Sequence, residues 1–498
     1  MCMQAQILVI FGASGDLAQR KLLPALCSLY AGKSLAKDFL VLGVSRTAKT
    51  DDSWRAEIKS SLHDKPAIDE FVKNIFYQQI DTANPNEYSV LSEKIKVLLK
   101  GREMPANVVF YLAVPPHLSA QIPSWLAAQG LNNQEDGFKR LVLEKPFGHD
   151  LPSAKKLNMD LLEHWQEEQI YRIDHYLGKE TVQNLLVFRF ANEIFDAMWN
   201  HRFVDYVEIT AAETLGVENR SGYFDSSGST RDMLQNHLLQ VLAMVAMDPP
   251  LSYDAESVRN ETMKIFKSLR PFNQYDLENK VVFGQNIGAK VKGEQIKAYR
   301  EENGVPKDSR TETFVALKAY IDHYRWNNVP FYLRTGKRLP TRVTEIVIHF
   351  KPTPHPAFVG NPSGVIGNNQ LVIRIQPDEG ILLKIGLKEP GSGFKVKTVN
   401  MDFHYKDLSH IRVPDSYERL LMDAMLGDAT LYALGQAVEY CWEFVDPILH
   451  YKEAEAKIWG YSAGTWGPLL ADELMARDGR QWRYPCKCLT SDGETCEL

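Results

Sequence analysis

The stretch ILVIFGASGDLA, residues 7–18, joins a continuous apolar run directly to a pair of closely spaced glycines. Such a run is typical of a strand that is buried on both faces. Glycines between a first strand and a helical pattern let the backbone approach a pyrophosphate at a helix N-terminus. The spacing is Gly-x-x-Gly, so a tight turn without a ligand is the alternative. Its place after the first strand favours a dinucleotide site.

The runs that follow extend this pattern to about residue 148. Apolar, β-branched segments alternate with helical stretches, which is typical of a parallel sheet covered on both faces. We therefore predict an N-terminal Rossmann-like, doubly wound α/β domain. The four further strands are predicted at residues 39–45, 74–80, 107–114 and 140–146.

From about residue 185 the apolar segments become longer and follow one another with short turns, which favours a large, mainly antiparallel sheet with helices. The sequence thus predicts α/β followed by α+β, with a coenzyme domain at 1–175 and a substrate and dimerisation domain at 176–498. Helices are expected at 230–247 and 416–445. Strands are expected at 185–190, 204–213, 314–321, 330–336, 345–351, 370–377, 380–388 and 395–401.

The length, net charge, apolar runs and cysteine count of the chain exclude several classes of protein. A length of 498 residues exceeds one comfortable core, and a net charge of -6 argues against a general nucleic-acid binder. No apolar run approaches a membrane span, and the N-terminus lacks a signal-peptide pattern, so we expect a cytoplasmic protein without membrane contact. The six cysteines are few, as expected of a reduced protein. Cys486, Cys488 and Cys496 could bind a metal, but histidines at matching spacing are absent and no metal is predicted.

The second strand ends in Ser45 and Arg46, and residues 43–50 contain no acid. NAD-specific sites usually place an acid here for the ribose 2′-hydroxyl. Hydroxyls and a guanidinium suit a 2′-phosphate instead, so we predict NADP. The alternative is a surface arginine that follows a strand.

Two further segments carry polar groups that could take part in binding or catalysis. Lys145 follows the fifth strand, whose carboxyl end faces the ligand crevice in such sheets, although a solvated lysine is the alternative. His237 lies in an apolar helical stripe, where a core histidine is common. The polar residues at one end of that helix favour a general base. Asp232 is five positions away, a poor spacing for contact in an α-helix, so the orienting acid is expected elsewhere.

Four ordered motifs together resemble the glucose-6-phosphate dehydrogenase family: GASGDLA at 12–18, EKPFG at 144–148, RIDHYLGKE at 172–180 and RDMLQNHLLQ at 231–240. The resemblance extends through YREENGVP and LRTGKRLP to RIQPDE and so covers nearly the whole chain. It implies oxidation of C1 of D-glucose 6-phosphate by NADP to 6-phospho-D-glucono-1,5-lactone. This is the first step of the oxidative pentose phosphate pathway.

The resemblance also implies roles for individual residues. His237 would be the general base and Asp174 its orienting acid. The coenzyme would be bound by Gly12, Ala13, Ser14, Gly15, Asp16, Leu17, Ser45, Arg46 and Lys145. The sugar phosphate would be bound by Lys145, His175, Tyr176, Lys179, Glu213, Asp232, Lys337, Arg342 and Gln376, with Lys21 as a further pocket residue.

Two other functions are compatible with parts of the pattern. EKP after a Rossmann strand also resembles the glucose–fructose oxidoreductase family, but that family lacks RIDHYLGKE. A non-catalytic NADP sensor could retain the fold, but the base, its acid and the phosphate ligands are all present. A homodimer or homotetramer is expected, because a large sheet with an exposed face offers a subunit surface.

Overall fold

The computed structural model describes residues 3–353, 368–391, 395–407 and 414–486. The chain divides into two compact units. The first unit comprises Met1–Lys179, Pro250–Asn260 and Pro414–Glu439, and the second comprises Glu180–Pro249, Glu261–Val413 and Tyr440–Leu498.

The first unit contains a seven-stranded sheet. Every neighbouring pair is parallel except the pair at one edge, where the short strand Tyr432–Ala433 is antiparallel to Ile170–Ile173. The five predicted strands are confirmed. Four of them are almost continuously buried, as a sheet covered on both faces requires, whereas the edge strand Ile75–Gln79 is buried at Ile75 and Tyr77 only. The order across the sheet is Tyr432–Ala433, Ile170–Ile173, Lys139–Leu143, Val108–Leu112, Gln6–Phe11, Phe39–Ser45 and Ile75–Gln79.

Helices connect these strands, and the first begins directly after the glycine pair. Its opening turn is a π-helix, Ala18–Leu22, which continues as an α-helix to Ala31. Two of the helices start with a reciprocal side-chain cap, at Thr50 and at Asp150. The remaining helices of this unit are Asp51–Ser61, Ile68–Phe71, Tyr88–Gly101, Gln121–Ala128, Leu151–Leu162 and Ser416–Leu426.

The second unit is built on a nine-stranded mixed sheet. Two pairings are parallel, Val204–Ala212 with Phe331–Gly336 and Val281–Asn286 with Ile458–Tyr461, and the others are antiparallel. The predicted mainly antiparallel sheet is therefore confirmed. Its order is Val396–His404, Gly380–Lys388, Gln370–Gln376, Val343–Phe350, Val204–Ala212, Phe331–Gly336, Phe314–Ala319, Val281–Asn286 and Ile458–Tyr461.

The second unit also contains a small hairpin, Ala289–Val291 with Glu294–Ile296. Helices Ala255–Lys267 and Gly435–Ala454 each have residues in both units. Among the described residues, no helix is both long enough and apolar enough to cross a bilayer. The other helices are Glu180–Phe190, Glu193–Met198, Ser221–Ser229, Thr230–Leu238, Leu239–Ala246, Gln274–Lys280 and Leu469–Ala476.

Two predicted elements differ from the structure. Residues 185–190, predicted as a strand, belong to helix Glu180–Phe190. A short apolar run cannot distinguish the two states, and here Val182, Leu185 and Arg189 are buried at helical spacing while Val187 is exposed. The predicted helix at 416–445 is interrupted, because the short strand Tyr432–Ala433 pairs with the sheet of the first unit.

The cysteines differ partly from the expectation of a fully reduced protein. Cys27 is a buried thiol, and burial raises its pKa. Cys486, in contrast, is disulfide-bonded, so the expectation is wrong at this position. Cys488 and Cys496 lie outside the described residues.

Candidate active site

The glycine turn, residues 12–17, leaves the strand Gln6–Phe11 through a backbone that requires glycine. Gly12 has φ +78°, and a Cβ on it would lie 2.1 Å from the carbonyl oxygen of Ala113. The amides of Gly12 and Ala13 both donate to the carbonyl of Val44, at 2.8 and 3.2 Å. Gly12 is thus required by the turn itself, because the backbone of Ala113 occupies the place of a side chain. The exposed part of the turn is Gly15 and Asp16 at the helix start, which fits the predicted pyrophosphate site.

Hydroxyl groups link the glycine turn to the end of the second strand. Ser14 Oγ donates to Ser45 Oγ at 3.0 Å, and Ser45 Oγ lies 2.6 Å from the hydroxyl of Tyr77. Thr47 Oγ1 donates to Ser14 Oγ at 3.2 Å. Ser45 is buried within this chain of hydroxyls, whereas Arg46 is exposed. The guanidinium is therefore the accessible cation at the position predicted to bind a 2′-phosphate.

The helical end of the glycine turn is polar and open. Gly15 donates to the carbonyl of Gly12 at 2.9 Å, and Asp16 pairs with Arg20 at 2.6 Å. Leu17 is half-buried at the start of the helix. Lys21, on the same helix, lies 3.6 Å from the carboxylate of Asp415. The Lys21 contact links this helix to the start of helix Ser416–Leu426.

Lys145 follows the fifth strand next to a half-buried carboxylate. Glu144 Oε1 accepts a hydrogen bond from the hydroxyl of Tyr111 at 2.5 Å, and Glu144 also bonds to Tyr417. Burial raises the pKa of Glu144, and the negative charge of Asp174 adds to this effect. Lys145 itself is half-buried. The two tyrosines hold the residue that precedes Lys145, and no local sequence signal identified them.

Residues 172–180 contain a structural part and a part that is predicted to bind the substrate. Arg172 is buried in the last parallel strand, where it pairs with Glu167 at 2.7 Å. Asp174 is also buried and accepts the amide of Tyr176 at 2.9 Å. Asp174 therefore starts a turn that leads from the strand toward the helix Glu180–Phe190.

Aromatic rings orient the basic residues of this turn. The ring of His175 stacks on Tyr417, with centroids 6.5 Å apart and planes 9° apart. Lys179 Nζ lies 5.3 Å from the centre of the Tyr176 ring. His175 and Lys179 are half-buried, so they are held in place and remain accessible. Two basic groups in one turn suit a dianionic phosphate.

The segment that carries Asp232 and His237 is a π-helix, Thr230–Leu238, which we call the His237 helix. Both residues are buried, with exposures of 9% and 1%. In a π-helix the backbone hydrogen bonds run from i to i+5, so residues five apart occupy adjacent turns. The spacing argument for Asp232 assumed an α-helix, whereas this segment is a π-helix. That the orienting acid comes from elsewhere in the chain stays a prediction.

Asp232 accepts a hydrogen bond from the hydroxyl of Tyr223 at 3.2 Å. Burial, together with the negative charge of Asp232, raises the pKa of Tyr223 to about 12. Tyr223 therefore remains a donor at neutral pH and holds one oxygen of the carboxylate.

Glu213 and Lys337 meet at the carboxyl ends of two parallel strands. Lys337 Nζ donates to Glu213 Oε2 at 2.6 Å and lies 4.9 Å from the centre of the Phe224 ring. Gln376, at the end of another strand, donates to Thr344 at 2.9 Å. Arg342, two residues before Thr344, is exposed. The structure thus joins Glu213 to Lys337 and places Arg342 near the strand end that carries Gln376.

Comparison with known protein families accounts for both halves of the chain. Residues 9–184 match the NAD binding domain of glucose-6-phosphate dehydrogenase, and residues 186–483 match the C-terminal domain of the same enzyme. The chain belongs to the glucose-6-phosphate dehydrogenase family. The resemblance seen in the four sequence motifs is thereby confirmed, and the chain is an oxidoreductase of carbohydrate metabolism.

Relatives in this family align over nearly their full length. The chain is 52% identical to glucose-6-phosphate 1-dehydrogenase of Aggregatibacter actinomycetemcomitans, over 96% of this chain and 97% of the relative. It is 48% identical to that of Treponema pallidum, over 99% and 98%. A solved glucose-6-phosphate dehydrogenase in complex with its substrate glucose-6-phosphate is 34% identical, with a TM-score of 0.90 over 97% of this chain and 100% of that chain. The predicted fold class is confirmed by these matches.

Proposed function

We propose that the chain oxidises C1 of D-glucose 6-phosphate to 6-phospho-D-glucono-1,5-lactone with NADP, as the first step of the oxidative pentose phosphate pathway. The observation that carries the proposal is the 52% identity over 96% of the chain to a glucose-6-phosphate 1-dehydrogenase. NADP, when bound, supplies the hydride acceptor at its nicotinamide ring. The glycine turn, Ser45, Arg46 and Lys145 would hold it.

His237 is proposed to remove the proton of the C1 hydroxyl. Its burial fits this role, because an imidazole shielded from water keeps one tautomer and one orientation. Asp174 is proposed as the orienting carboxylate, which stabilises the imidazolium that forms. General-base assistance of this kind contributes a factor of about 10² to 10⁴ to the rate.

The phosphate is proposed to bind His175, Tyr176 and Lys179. The proposal is supported by the positions of His175 and Lys179, which are half-buried and therefore both held in place and accessible. Because the phosphate is remote from C1, its binding energy can fix the position of the reacting carbon. The sugar hydroxyls and the phosphate would also contact Lys145, Glu213, Asp232, Lys337, Arg342 and Gln376.

We further propose a coenzyme domain at residues 1–175, a substrate and dimerisation domain at 176–498, and a homodimer or homotetramer that works in the cytoplasm. Support for assembly comes from the outermost strands of the mixed sheet, where Leu387, Met401 and Phe403 are exposed by 52%, 59% and 37%. Exposed apolar side chains on adjacent strands are typical of subunit contacts. Sedimentation velocity of the purified chain at micromolar concentration would show a monomer if this part of the proposal is wrong.

The reaction is tested by absorbance at 340 nm after the protein is mixed with NADP and glucose 6-phosphate. Folded protein without a signal would favour the NADP sensor. An equal signal with unphosphorylated glucose would favour another sugar oxidoreductase.

The phosphate ligands are tested in the same assay with Lys179→Ala. The KM for glucose 6-phosphate should rise about 10- to 100-fold, the effect of one lost charge-assisted hydrogen bond. Kinetics with unphosphorylated glucose should change little. Lys96→Ala is the matched control, since Lys96 is a surface lysine that pairs with Glu93. Equal losses for both sugars would show that Lys179 does not bind the phosphate.

A further inference from the structure

A buried carboxylate from outside the His237 helix lies at the start of that helix. Glu312 has no exposed surface, and its Oε1 accepts the backbone amide of Thr230 at 2.9 Å. The carbonyl of Glu312 accepts the amide of Ser229 at 3.1 Å. Two consecutive amides at the helix start are thus bound by one residue 82 positions later in the chain.

The helix start has no side-chain cap of its own. Ser229 occupies the N-cap position without donating or accepting a capping hydrogen bond. The first amides of a helix have no partner within the helix, and a negative charge near them is favourable. Glu312 therefore supplies both the missing acceptor and the charge from another part of the fold.

Two other residues fit the position of this carboxylate. Lys452 Nζ donates to Glu312 Oε2 at 2.9 Å, and only 10% of the lysine side chain is exposed. Gly228 has φ +66°, and a Cβ on it would lie 2.3 Å from Glu312 Oε1. The lysine compensates the buried charge, and the glycine leaves the space in which the carboxylate lies.

The residue after Glu312 holds a second proposed substrate ligand. The carbonyl of Thr313 accepts the amide of Lys337 at 2.9 Å. The hydroxyl of Tyr461 donates to the carbonyl of Lys337 at 2.7 Å and lies 2.8 Å from Thr313 Oγ1. Two adjacent residues, Glu312 and Thr313, therefore connect the start of the His237 helix with the backbone of Lys337.

We propose that Glu312, paired with Lys452, is a positioning residue for the reaction: it fixes the start of the π-helix that presents Asp232 and His237. The inference rests on the proposed function, because Glu312 acts on the reaction through the base that this helix presents. The carboxylate is needed here as an acceptor of fixed position, which a neutral amide of the same shape can also provide.

The test compares kcat and thermal stability of four variants of the full chain. Glu312→Ala should lower kcat about 10- to 100-fold, as expected when a catalytic group is displaced by about 1 Å. Glu312→Gln combined with Lys452→Met keeps the acceptor without a buried charge, and it should retain kcat within about fivefold. Lys452→Met alone leaves the carboxylate unpaired and should lower kcat less than Glu312→Ala.

Lys318→Met is the matched control. Lys318 lies on the strand Phe314–Ala319 that follows Glu312, and it forms a similar ion pair with Asp478 at 2.6 Å, with 12% of its side chain exposed. Lys318→Met should lower the melting temperature without changing kcat more than about twofold, as is usual for a change outside the reacting groups. If Glu312→Ala changes kcat no more than this control, the proposal is overturned.

A double-mutant cycle separates positioning from general loss of structure. In the background of His237→Asn, Glu312→Ala should have no further effect on the residual rate, because both act through the same group. An equal fold-loss in both backgrounds would overturn the role of Glu312 and leave the proposed base intact. A near-normal kcat of His237→Asn alone would instead remove the base, and the positioning role with it. If Glu312→Ala does not fold, the combined variant Glu312→Gln with Lys452→Met decides. A large loss of kcat in that variant contradicts the proposal.

Discussion

The glycine turn and the His237 helix serve the same proposed reaction, but they are held in different ways. The glycine turn bonds to itself and to the adjacent strand, and its outer residues Gly15 and Asp16 are exposed. The His237 helix is buried, and its first amides bond to Glu312, far along the chain. The turn is fixed by its own backbone and by the ends of the neighbouring strands. The position of a buried base depends on packing from distant segments.

The largest effect is expected at the His237 helix. His237→Asn should lower kcat by about 10² to 10⁴, because the proton acceptor is lost, with little change in substrate KM. Steady-state kinetics at 340 nm measure both constants. His63→Asn, at a histidine that is 72% exposed, is the control. Near-normal kcat in His237→Asn would show that the base is another residue.

Asp174→Asn should also lower kcat, by a smaller factor than His237→Asn, because the imidazole keeps its proton-accepting nitrogen but loses the orienting charge. The double variant should be no slower than His237→Asn alone. A double variant whose loss of kcat equals the product of the two single losses would contradict a shared role. Stopped-flow measurement of the first turnover would separate this effect from product release.

The glycine turn should be most sensitive at Gly12. Gly12→Ala adds a Cβ that would lie 2.1 Å from the carbonyl oxygen of Ala113, at φ +78°. We expect a loss of about 1 to 3 kcal/mol of unfolding free energy and weaker NADP binding, because the turn itself must move. Urea unfolding and coenzyme titration measure the two effects. Unchanged stability would mean that the turn tolerates a side chain there.

Arg46→Ala should change the choice of coenzyme and leave the fold unaffected. A charge-assisted hydrogen bond to the 2′-phosphate contributes about 1.5 to 3 kcal/mol, or roughly a 10- to 100-fold preference. The KM for NADP should therefore rise by this factor, whereas kinetics with NAD stay almost unchanged. If the variant keeps its preference for NADP, Ser45 or Thr47 is the next residue to change.

The smallest effect is expected at Gly15, which is exposed. A Cβ on Gly15 would meet the carbonyl oxygen of Gly12 at 3.1 Å, and its φ does not require glycine. Gly15→Ala should therefore raise the KM for NADP by only about two- to tenfold, through closer contact with the bound pyrophosphate, with unchanged melting temperature. A large loss of stability would remove the contrast with Gly12.

Much of the fold could be predicted because its signals are local. Five strands of the first unit and seven of the nine strands of the mixed sheet follow from runs and alternation of apolar residues, whereas Ile170–Ile173, Val281–Asn286 and Ile458–Tyr461 were not predicted. Residues 185–190, predicted as a strand, form part of a helix. Arg189 is buried in that run and donates to the carbonyls of Met244 and Met247, at 3.0 and 2.7 Å. The hydrophobic periodicity of a six-residue run cannot reveal these two carbonyls as the partners of a buried arginine.

The candidate site divides in the same way. Motifs predicted the glycine turn, Lys145, the basic turn after Asp174 and His237, and the roles of these residues stay predictions. Tyr111, Tyr417 and Glu312 were not predicted, since nothing next to them in the chain marks them. Each acts through hydrogen bonds or ring contacts with residues that are distant in sequence.

The sequence by itself determined the succession of most strands along the chain, the family and the types of chemical group available, because these depend on neighbouring residues and their spacing. Only the tertiary structure decided the π-helical form of residues 230–238, which brings Asp232 and His237 onto adjacent turns. It also decided the pairing of Glu312 with Lys452 at 2.9 Å. Burying such charges is favourable only when their partners meet, and residues 140 positions apart meet only in the folded chain.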